Sequence, residues 1–341
     1  MTAATHRVIH LAARPAPGVE PADAYFDVVT RPVPEPGPGQ VLVRNRLMAV
    51  VAVTRTLMNE DLDLEASMPS LAVGEPMTGP AVGEVVALGP GASGLAPGDL
   101  VQHGLGWREY AVLDAAAVQP LDPTVFDDPA AHLSQAATAW IAVTRGAEVR
   151  DGDTVLVTGA AGGVGTLTGQ FARLRGAGRV IGTTGSAAKG ERLVAELGYD
   201  DVVLRGGEEP FEERLRAAAP DGIDVVLDLV GGEQLTAALA LAGPRARVAL
   251  LGAMSVQATG GMRSPVEVDT SSLLARGITL RGVPGYHHLD VVAEGLREFG
   301  DGLRAGRLAF PHVRLAGLDR APAALRELLA GRHLGSVLVE V

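Results

Sequence analysis

The chain has no cysteine and only one lysine, Lys189, and the first absence narrows the chemistry open to it. Without cysteine there is no disulfide, no thiol nucleophile and no metal site built on thiolates. Of the eight histidines only His287 and His288 are neighbours in sequence, and adjacent residues rarely share one metal ion. We therefore expect no metal site.

Long apolar runs and an excess of positive charge are also missing. No run of about 18 or more apolar residues occurs, and the N-terminus is mixed and polar rather than charged and then apolar. These features indicate a soluble, unexported, cytoplasmic protein with no membrane contact. The formal net charge of -11 argues against nucleic-acid binding, which needs a basic surface.

The sequence contains enough apolar material for two ordinary domains. It has 341 residues, of which 47% are hydrophobic and 20% charged. Up to about Pro120, short apolar stretches alternate with turns rich in proline and glycine, which predicts a compact β-barrel-like domain. From Asp151 onward strands and helices alternate, which predicts a doubly wound parallel sheet and so an α/β fold class.

The sequence is again typical of β-strands at 313–315 and 337–341, and we expect these strands to rejoin the first domain. The predicted division is a substrate domain, a nucleotide-binding domain and a C-terminal segment that rejoins the substrate domain, at residues 1–123, 124–300 and 301–341.

The strongest functional signal is the stretch 153–165, Asp-Thr-Val-Leu-Val-Thr-Gly-Ala-Ala-Gly-Gly-Val-Gly. A short apolar strand stops at a glycine-rich turn, and Leu167, Phe171 and Leu174 then share one face of a predicted helix. A helix that starts after such a turn leaves free backbone N–H groups that bind an anion, here the pyrophosphate of a dinucleotide. With 44 glycines in the chain, the flanking strand and helix make the signal specific.

The end of the next predicted strand indicates which dinucleotide binds. It runs Thr183-Thr184-Gly185-Ser186, with no acidic residue before Glu191 to accept from a ribose 2′-hydroxyl. Lys189 follows in the next turn, and Arg205 lies after the third strand. Two cations at this place favour NADP(H) and its 2′-phosphate, although an exposed lysine on a helix is the alternative interpretation of Lys189.

Three other classes of enzyme are excluded because the motifs that they need are missing from this sequence. The turn 158–165 also fits short-chain dehydrogenases, but their Tyr-x-x-x-Lys motif would need a tyrosine where Gly185 stands. Serine hydrolases need Gly-x-Ser-x-Gly, and the nearest candidate, Ser93, fails at Leu95. The Gly-Lys-Ser/Thr of a P-loop does not occur.

Several motifs in order resemble the medium-chain dehydrogenase/reductase superfamily. They lie at 6–15, 40–45, 104–112 (ending Gly-Trp-Arg-Glu-Tyr-Ala-Val), 160–165, Asp228 with 230–232, and Gly252 with Ser255. The chain looks most like the zinc-free branch that contains prostaglandin reductases, alkenal double-bond reductases and curcumin reductase. The resemblance implies a GroES-like β-barrel domain followed by a Rossmann domain. The Gly-His-Glu element of zinc-dependent relatives is replaced near Gly74-Glu75-Pro76.

The resemblance also implies where the cofactor NADPH binds. Its pyrophosphate would lie along the glycine-rich turn, its 2′-phosphate at the end of the second strand, and its nicotinamide near the sheet's central strands. The implied residues are Ala161, Gly162, Gly163 and Val164 for the pyrophosphate, Gly185, Ser186, Lys189 and Arg205 for the 2′-phosphate, Thr138, Val230, Gly252 and Val283 for the nicotinamide end, and His333 for the ribose. A surface histidine is the alternative interpretation of His333.

The substrate positions depart from the branch. Its Asp-Pro-Tyr is replaced by Val51-Ala52-Val53, and an expected tyrosine is replaced by Gln257. These changes predict a bulky, apolar substrate and leave the proton donor open. Tyr286 and His288, in the loop 282–288, are candidate donors because tyrosine and histidine can protonate an enolate. The alternative is a surface loop whose aromatic tip only packs.

The branch implies an NADPH-dependent, zinc-independent reductase of a C=C bond conjugated to a carbonyl, with hydride added at the β-carbon and a proton at the α-carbon. A quinone reductase, an enoyl-reductase-type tailoring enzyme of secondary metabolism and a catalytically silent NADPH-binding protein remain alternatives. By analogy with relatives, we expect a homodimer formed at the edge of the nucleotide-binding sheet.

Overall fold

The computed structural model describes residues 4–60, 70–261 and 263–341. Within these ranges the strands form one hairpin and two larger sheets. The strands are β1 Thr5–Leu11, β2 Phe26–Pro32, β3 Gln40–Val50, β4 Ala81–Leu88, β5 Leu100–His103, β6 Tyr110–Asp114, β7 Gln119–Pro120, β8 Thr154–Val157, β9 Arg179–Thr184, β10 Asp201–Leu204, β11 Ile223–Asp228, β12 Ala242–Leu250, β13 Thr279–Gly282, β14 His312–Ala316 and β15 Ser336–Glu340.

Most of the described helices cover the faces of the second sheet or connect its strands, whereas the last one packs against β15 and β3 of the first sheet. They are α1 Val53–Leu57, α2 Ala136–Ile141, α3 Gly165–Leu174, α4 Ala187–Glu196, α5 Phe211–Ala218, α6 Gly232–Leu241, α7 Met254–Gln257, α8 Thr270–Arg276, α9 Val292–Arg304 and α10 Ala321–Leu329. No helix in the described ranges is both long and apolar enough to cross a membrane.

The first large sheet combines the two ends of the chain. Its order is β14-β15-β3-β4-β5-β7, with β6 also paired to β3. The C-terminal strand β15 runs antiparallel to β3, with Val337 opposite Val50. The last segment therefore lies in the N-terminal sheet, as predicted from the strand-like sequence at 337–341. The exact division into residues 1–123, 124–300 and 301–341 stays a prediction.

The second sheet has the order β10-β9-β8-β11-β12-β13, and all its pairs are parallel. The chain moves outward from β8 to β10 on one side and then crosses to β11 on the other. This reversal creates a crevice at the carboxyl end of β8, the place where open α/β sheets bind ligands. The predicted fold class, an N-terminal β domain followed by a Rossmann domain, is confirmed.

The core explains why β8 stands at the centre of this sheet. Val155, Leu156 and Val157 are fully buried, because helices cover both faces of a parallel sheet. Leu167 and Phe171 on α3 pack into one cluster with Val155 and Val157, as their helical spacing predicts. Tyr199 is also buried there, and its hydroxyl donates to the Gly165 carbonyl at 2.6 Å, which ties the start of α3 to the strand region beside it.

The connection between the two domains is not one continuous helix, although its alanine content favours one. The alanine-rich stretch 129–143 starts as a short turn, Pro129–Leu133, and α2 begins only at Ala136. Ser134 between them has an extended backbone (φ -70°, ψ 161°), so the helical ladder cannot continue through it. High alanine content favours helix locally, but it does not determine where a domain connection must change direction.

Candidate functional site

A cavity of about 520 Å³ opens at the carboxyl end of β8 and is lined by residues from both sheets. The second domain contributes the glycine-rich turn and the ends of β9 and β11. The first domain contributes the end of β3 and the start of α1, and the C-terminal segment between α10 and β15 lies across it. The cavity is therefore where the sheet reversal predicts a ligand site.

The glycine-rich turn needs its glycines for close packing. Gly159 has a positive φ of 63°, which side chains rarely adopt. A Cβ at Gly165 would lie 2.5 Å from the Gly159 carbonyl oxygen, and one at Gly163 would lie 2.9 Å from Ser336 Oγ. No side chain caps the start of α3, and the N–H groups of residues 166–168 donate to backbone carbonyls. Those of residues 163–165 have no partner among the described residues, as an anion site requires.

Two cations lie together at one end of the cavity. Ser186 caps α4 by accepting from the Lys189 backbone N–H, and Gly185 leaves room for the Arg205 guanidinium, 3.1 Å from where a Cβ would be. The Lys189 ammonium donates to the carbonyl oxygens of Gly331 and His333. Burial and the nearby charge of Arg205 lower the pKa of Lys189, so an anion bound between the two cations would relieve their repulsion.

An unpartnered hydroxyl lies beside the glycine-rich turn. Ser336 Oγ is buried and makes no hydrogen bond with the described residues, although it lines the cavity. The turn is held to this segment by the Gly335 N–H, which donates to the Ala161 carbonyl at 2.9 Å. A buried polar group without a partner is costly, so this hydroxyl, the uncapped helix and the two cations fit a phosphorylated dinucleotide.

A buried carboxylate, Asp228, positions the deep end of the cavity. It accepts from the Thr158 hydroxyl at 2.6 Å and from the backbone N–H groups of Val230 and Gly231. Burial raises the pKa of Asp228, while these hydrogen bonds act in the opposite direction. The network joins β8 to the turn after β11 and so fixes Val230. Gly252 packs against the same turn, where a Cβ would lie 3.0 Å from the Leu229 carbonyl oxygen.

The other end of the cavity is apolar and uncharged. Val51, Ala52 and Val53 at the start of α1 line it together with Met254 and Leu328. Polar atoms come from Thr138 and Gln257, whose side chains make no hydrogen bond with the described residues, whereas Gln135 lies beside Gly163 of the glycine-rich turn. Among the described lining residues only Lys189, Arg205 and His333 are ionisable. This end therefore suits a neutral, apolar ligand that carries a hydrogen-bond acceptor.

The cavity brings together most of the residues that the resemblance implies for the cofactor. They are Thr138, Ala161, Gly162, Gly163, Val164, Gly185, Ser186, Lys189, Arg205, Val230, Gly252 and His333. His333 Nε2 also lies 2.9 Å from Glu327 Oε2. Their binding roles remain predictions.

Three predicted site residues do not line this cavity. Val283 is buried under the sheet beside Gly146 and Ala249. Tyr286 is 49% exposed, and its ring packs edge-on against His287 at a centroid distance of 4.7 Å. Tyr286 and His288 lie in the short turns that lead to α9, outside the cavity lining. The structure therefore does not bring the two candidate proton donors to the ligand space, and their catalytic role stays a prediction.

Several lining residues were missed by sequence reasoning. Gln135, Gln234 and Ser336 carry no motif of their own, and they reach the cavity from α2, α6 and the last strand. Ser336 is the clearest case, because it is not part of the predicted cofactor site. A buried serine at the start of a terminal strand gives no local signal of a contact with a turn so far away in sequence.

The site and fold together define a two-domain, dinucleotide-dependent oxidoreductase. Comparison with known proteins gives the same class. Residues 163–299 match the family described as zinc-binding dehydrogenase, and residues 7–121 match the N-terminal domain of oxidoreductase. Despite the first description, the described residues contain no group of three or more side chains able to hold a metal ion.

The similar proteins cover almost the whole chain. The putative NADP-dependent oxidoreductase YfmJ of Bacillus subtilis is 31% identical over 99% of this chain and 98% of its own. The NADP(+)-dependent 2-alkenal reductase of Nicotiana tabacum is 29% identical, with 91% and 89% covered. The solved structure of CurA from Vibrio vulnificus in complex with NADPH superposes with a TM-score of 0.87 at 26% identity, covering 98% and 99%.

The chain belongs to the medium-chain dehydrogenase/reductase superfamily, in its zinc-free branch of NADP-dependent oxidoreductases. The predicted family and enzyme class are thereby confirmed.

The unpartnered hydroxyl of Ser336 yields a test of the cofactor cradle. We expect Ser336→Ala to weaken NADPH binding by about tenfold, because a hydrogen bond to a charged phosphate is lost. Fluorescence titration of NADPH measures the dissociation constant. Ser134→Ala is the matched control, since Ser134 Oγ is also buried and unpartnered among the described residues but does not line the cavity. Equal affinities of the two variants would contradict the role of Ser336.

Proposed function

We propose that this oxidoreductase is an NADPH-dependent, zinc-independent reductase of the C=C bond of α,β-unsaturated carbonyl compounds. The observation that carries the proposal is one cavity with two unlike ends. One end holds the cations Lys189 and Arg205, and the other is apolar and uncharged and contains the amide of Gln257. The names of the relatives, which include a 2-alkenal reductase and an NADPH-dependent curcumin reductase, support the same reaction class.

The cofactor is NADPH, as predicted from Lys189 and Arg205. When bound, it supplies the hydride that adds to the β-carbon of the substrate. In this proposal Lys189 and Arg205 hold the 2′-phosphate, and Ser336 and the start of α3 hold the pyrophosphate. The protein's contribution is mainly to orient the bound molecules.

Gln257 is the proposed donor to the substrate carbonyl oxygen. Its amide N–H groups are free among the described residues, and it lines the apolar end. A positioned N–H polarises the carbonyl and stabilises the negative charge that develops on its oxygen when the β-carbon is reduced. The surrounding walls, Val51, Val53 and Met254, favour an apolar enone and displace water from around that charge.

An amide does not release a proton near neutral pH, so the α-carbon needs another proton source. Tyr286 and His288 remain proposed donors, and their place outside the cavity lining means that the loop 282–288 would have to approach the substrate. Water entering from the open side of the cavity is the competing source. Hydride transfer to the β-carbon is compatible with either source of the proton.

The choice of cofactor is tested at Lys189. We expect Lys189→Ala to weaken NADPH by roughly 30-fold and NADH by less than about twofold, because only NADPH carries the 2′-phosphate that the ammonium pairs with. Fluorescence titration of both cofactors measures this. Arg192→Ala, on the exposed side of the same helix and paired with Glu196, is the control. A similar loss for NADPH and NADH would overturn the assignment of Lys189.

The reaction itself is tested at Gln257. We expect the wild-type protein to oxidise NADPH with an apolar enone, and Gln257→Leu to lower kcat/KM by about 100-fold through the loss of a donor to the developing oxyanion. NADPH affinity should be unchanged. Gln119→Leu, on the exposed edge strand β7, is the control.

One outcome with the variants and one with the wild-type protein would contradict the proposal. If Gln257→Leu keeps full activity while Tyr286→Phe or His288→Ala slows turnover, the loop 282–288 performs the role proposed for Gln257. Absence of enone turnover by the wild-type protein would overturn the proposed reaction. Turnover of quinones alone would then favour a quinone reductase, a solved example of which from Pseudomonas syringae has a TM-score of 0.73 at 25% identity. Binding of NADPH without transfer to any acceptor would favour the silent protein.

A second copy of the chain is the proposed partner. The edge strand β13 is exposed at all four residues, and Leu274 and Leu289 near it are 85% and 70% exposed. An open strand edge beside large apolar side chains suits pairing with an identical edge, which would continue the sheet across a two-fold axis. The homodimer and the cytoplasmic location both stay predictions.

A further inference from the structure

Arg55 is fully buried although it carries a guanidinium group. It lies in the middle of α1, and its hydrogen bonds go to neutral oxygens: the carbonyls of Ala16 (3.1 Å), Val19 (3.1 Å) and Thr259 (3.0 Å), and Asn59 Oδ1 (3.0 Å). A buried cation is costly, so a guanidinium placed in this way must be held by a well-formed set of acceptors.

The acceptors belong to segments that are distant in sequence. Ala16 and Val19 lie in the loop after β1, whereas Thr259 lies just after α7 in the nucleotide-binding half of the chain. The contact is reinforced by the Gly18 N–H, which donates to the Thr259 carbonyl at 2.8 Å. Arg55 therefore ties the two halves of the molecule together. We call Arg55 with Ala16, Val19 and Thr259 the Arg55 clamp.

The clamp is packed tightly against the next residue, Gly260. Gly260 has a φ of 76°, and a Cβ there would overlap the Arg55 guanidinium. No side chain fits between the guanidinium and the backbone at this point. The end of the segment 254–261 is thus in direct contact with Arg55.

The clamp lies immediately behind both walls of the apolar end of the cavity. Val53, two residues before Arg55, lines one wall, and Gln257, two residues before Thr259, lines the other. The helices that carry them, α1 and α7, are in contact. A change in the clamp therefore moves one wall relative to the other, while the cationic end around Lys189 is held by separate contacts with Gly331 and His333.

We propose that Arg55 is a positioning residue that sets the width of the apolar end of the cavity, holding Gln257 opposite Val53, and so determines which enones are accepted. The inference rests on the proposed function, because it assigns that end to the substrate. Displacement of a reacting group by about 1 Å is enough to change rates by orders of magnitude, so a fixed distance between these walls affects both binding and selectivity.

The test replaces Arg55 by methionine, which keeps a long side chain and removes every N–H donor. We expect Arg55→Met to raise KM for a small enone by about tenfold and to reduce the difference in kcat/KM between a small and a bulky enone. The NADPH dissociation constant should change by less than about twofold. Arg55→Lys, which keeps the charge but has fewer donors, should lie between the wild-type protein and Arg55→Met. Steady-state kinetics on the two enones and NADPH titration measure these effects.

Arg276→Met is the matched control. Arg276 also donates to backbone carbonyls, those of Ala240 and Ala242, but it lies on α8 away from the cavity. We expect this variant to lower the melting temperature and to leave KM and enone preference unchanged. If Arg55→Met does not fold, Gly260→Ala supplies the second test, since its Cβ would displace the guanidinium while Arg55 stays in place. Gly260→Ala should likewise reduce the difference in kcat/KM between the small and the bulky enone.

Hydrogen–deuterium exchange of the NADPH-bound protein tests the Arg55 clamp without any enone, because it measures how readily the backbone held by the clamp opens. Arg55→Met should speed exchange in the segment 253–261 and leave the glycine-rich turn 158–165 protected. Unchanged exchange in 253–261 would overturn the proposal whether or not the wild-type protein reduces enones. It would also be overturned if KM for the enone and the NADPH dissociation constant rose by the same factor, or if enone preference matched that of the wild-type protein.

Discussion

The contact on which the site depends is the close approach of the C-terminal segment to the glycine-rich turn. The Gly335 N–H donates to the Ala161 carbonyl, Gly162 and Gly335 form a parallel bridge, and Ser336 Oγ lies where a side chain at Gly163 would be. Any larger residue at position 163 would push the two segments apart. Since β15 continues from Ser336 into the sheet of β3, this contact holds the glycine-rich turn against the sheet of the first domain.

The two ends of the cavity are then held by interactions of different kinds. At the cationic end Lys189 reaches across to the carbonyls of Gly331 and His333, beside the guanidinium of Arg205. At the apolar end the guanidinium of Arg55 joins the loop after β1 to the segment after α7. The cations at the first end face the cavity, whereas the guanidinium of Arg55 behind the second end is buried and donates to oxygens of the protein itself. This difference explains why one end can recognise an anion while the other suits a neutral ligand.

The features that sequence predicts well are those whose signal is local. The apolar run before the glycine-rich turn, the spacing of Leu167 and Phe171, and the position of Lys189 after the second strand are each visible within a few residues, and they predict the Rossmann domain and its cofactor. The contacts that complete the site are not local. Ser336 and Gln135 come from distant elements, and the buried state of Arg55 follows from three segments that meet only in the folded chain.

In the loop 282–288 the sequence predicts site residues that the fold does not bring to the cavity. Tyr286 and His288 have suitable chemistry for a proton donor, yet the loop that carries them leads into α9 outside the cavity lining. Side-chain chemistry predicts what a residue is able to do, but it does not predict where a solvent-facing turn will place it.

Transfer of hydride to the β-carbon of a conjugated carbonyl compound is the step on which the proposed function stands. Its most direct test uses NADPH deuterated at the transferring position with an apolar enone, followed by NMR of the product. We expect deuterium at the β-carbon, a solvent-derived proton at the α-carbon and an intact carbonyl. Deuterium on the carbonyl carbon, or recovery of unlabelled enone, would contradict the proposed function.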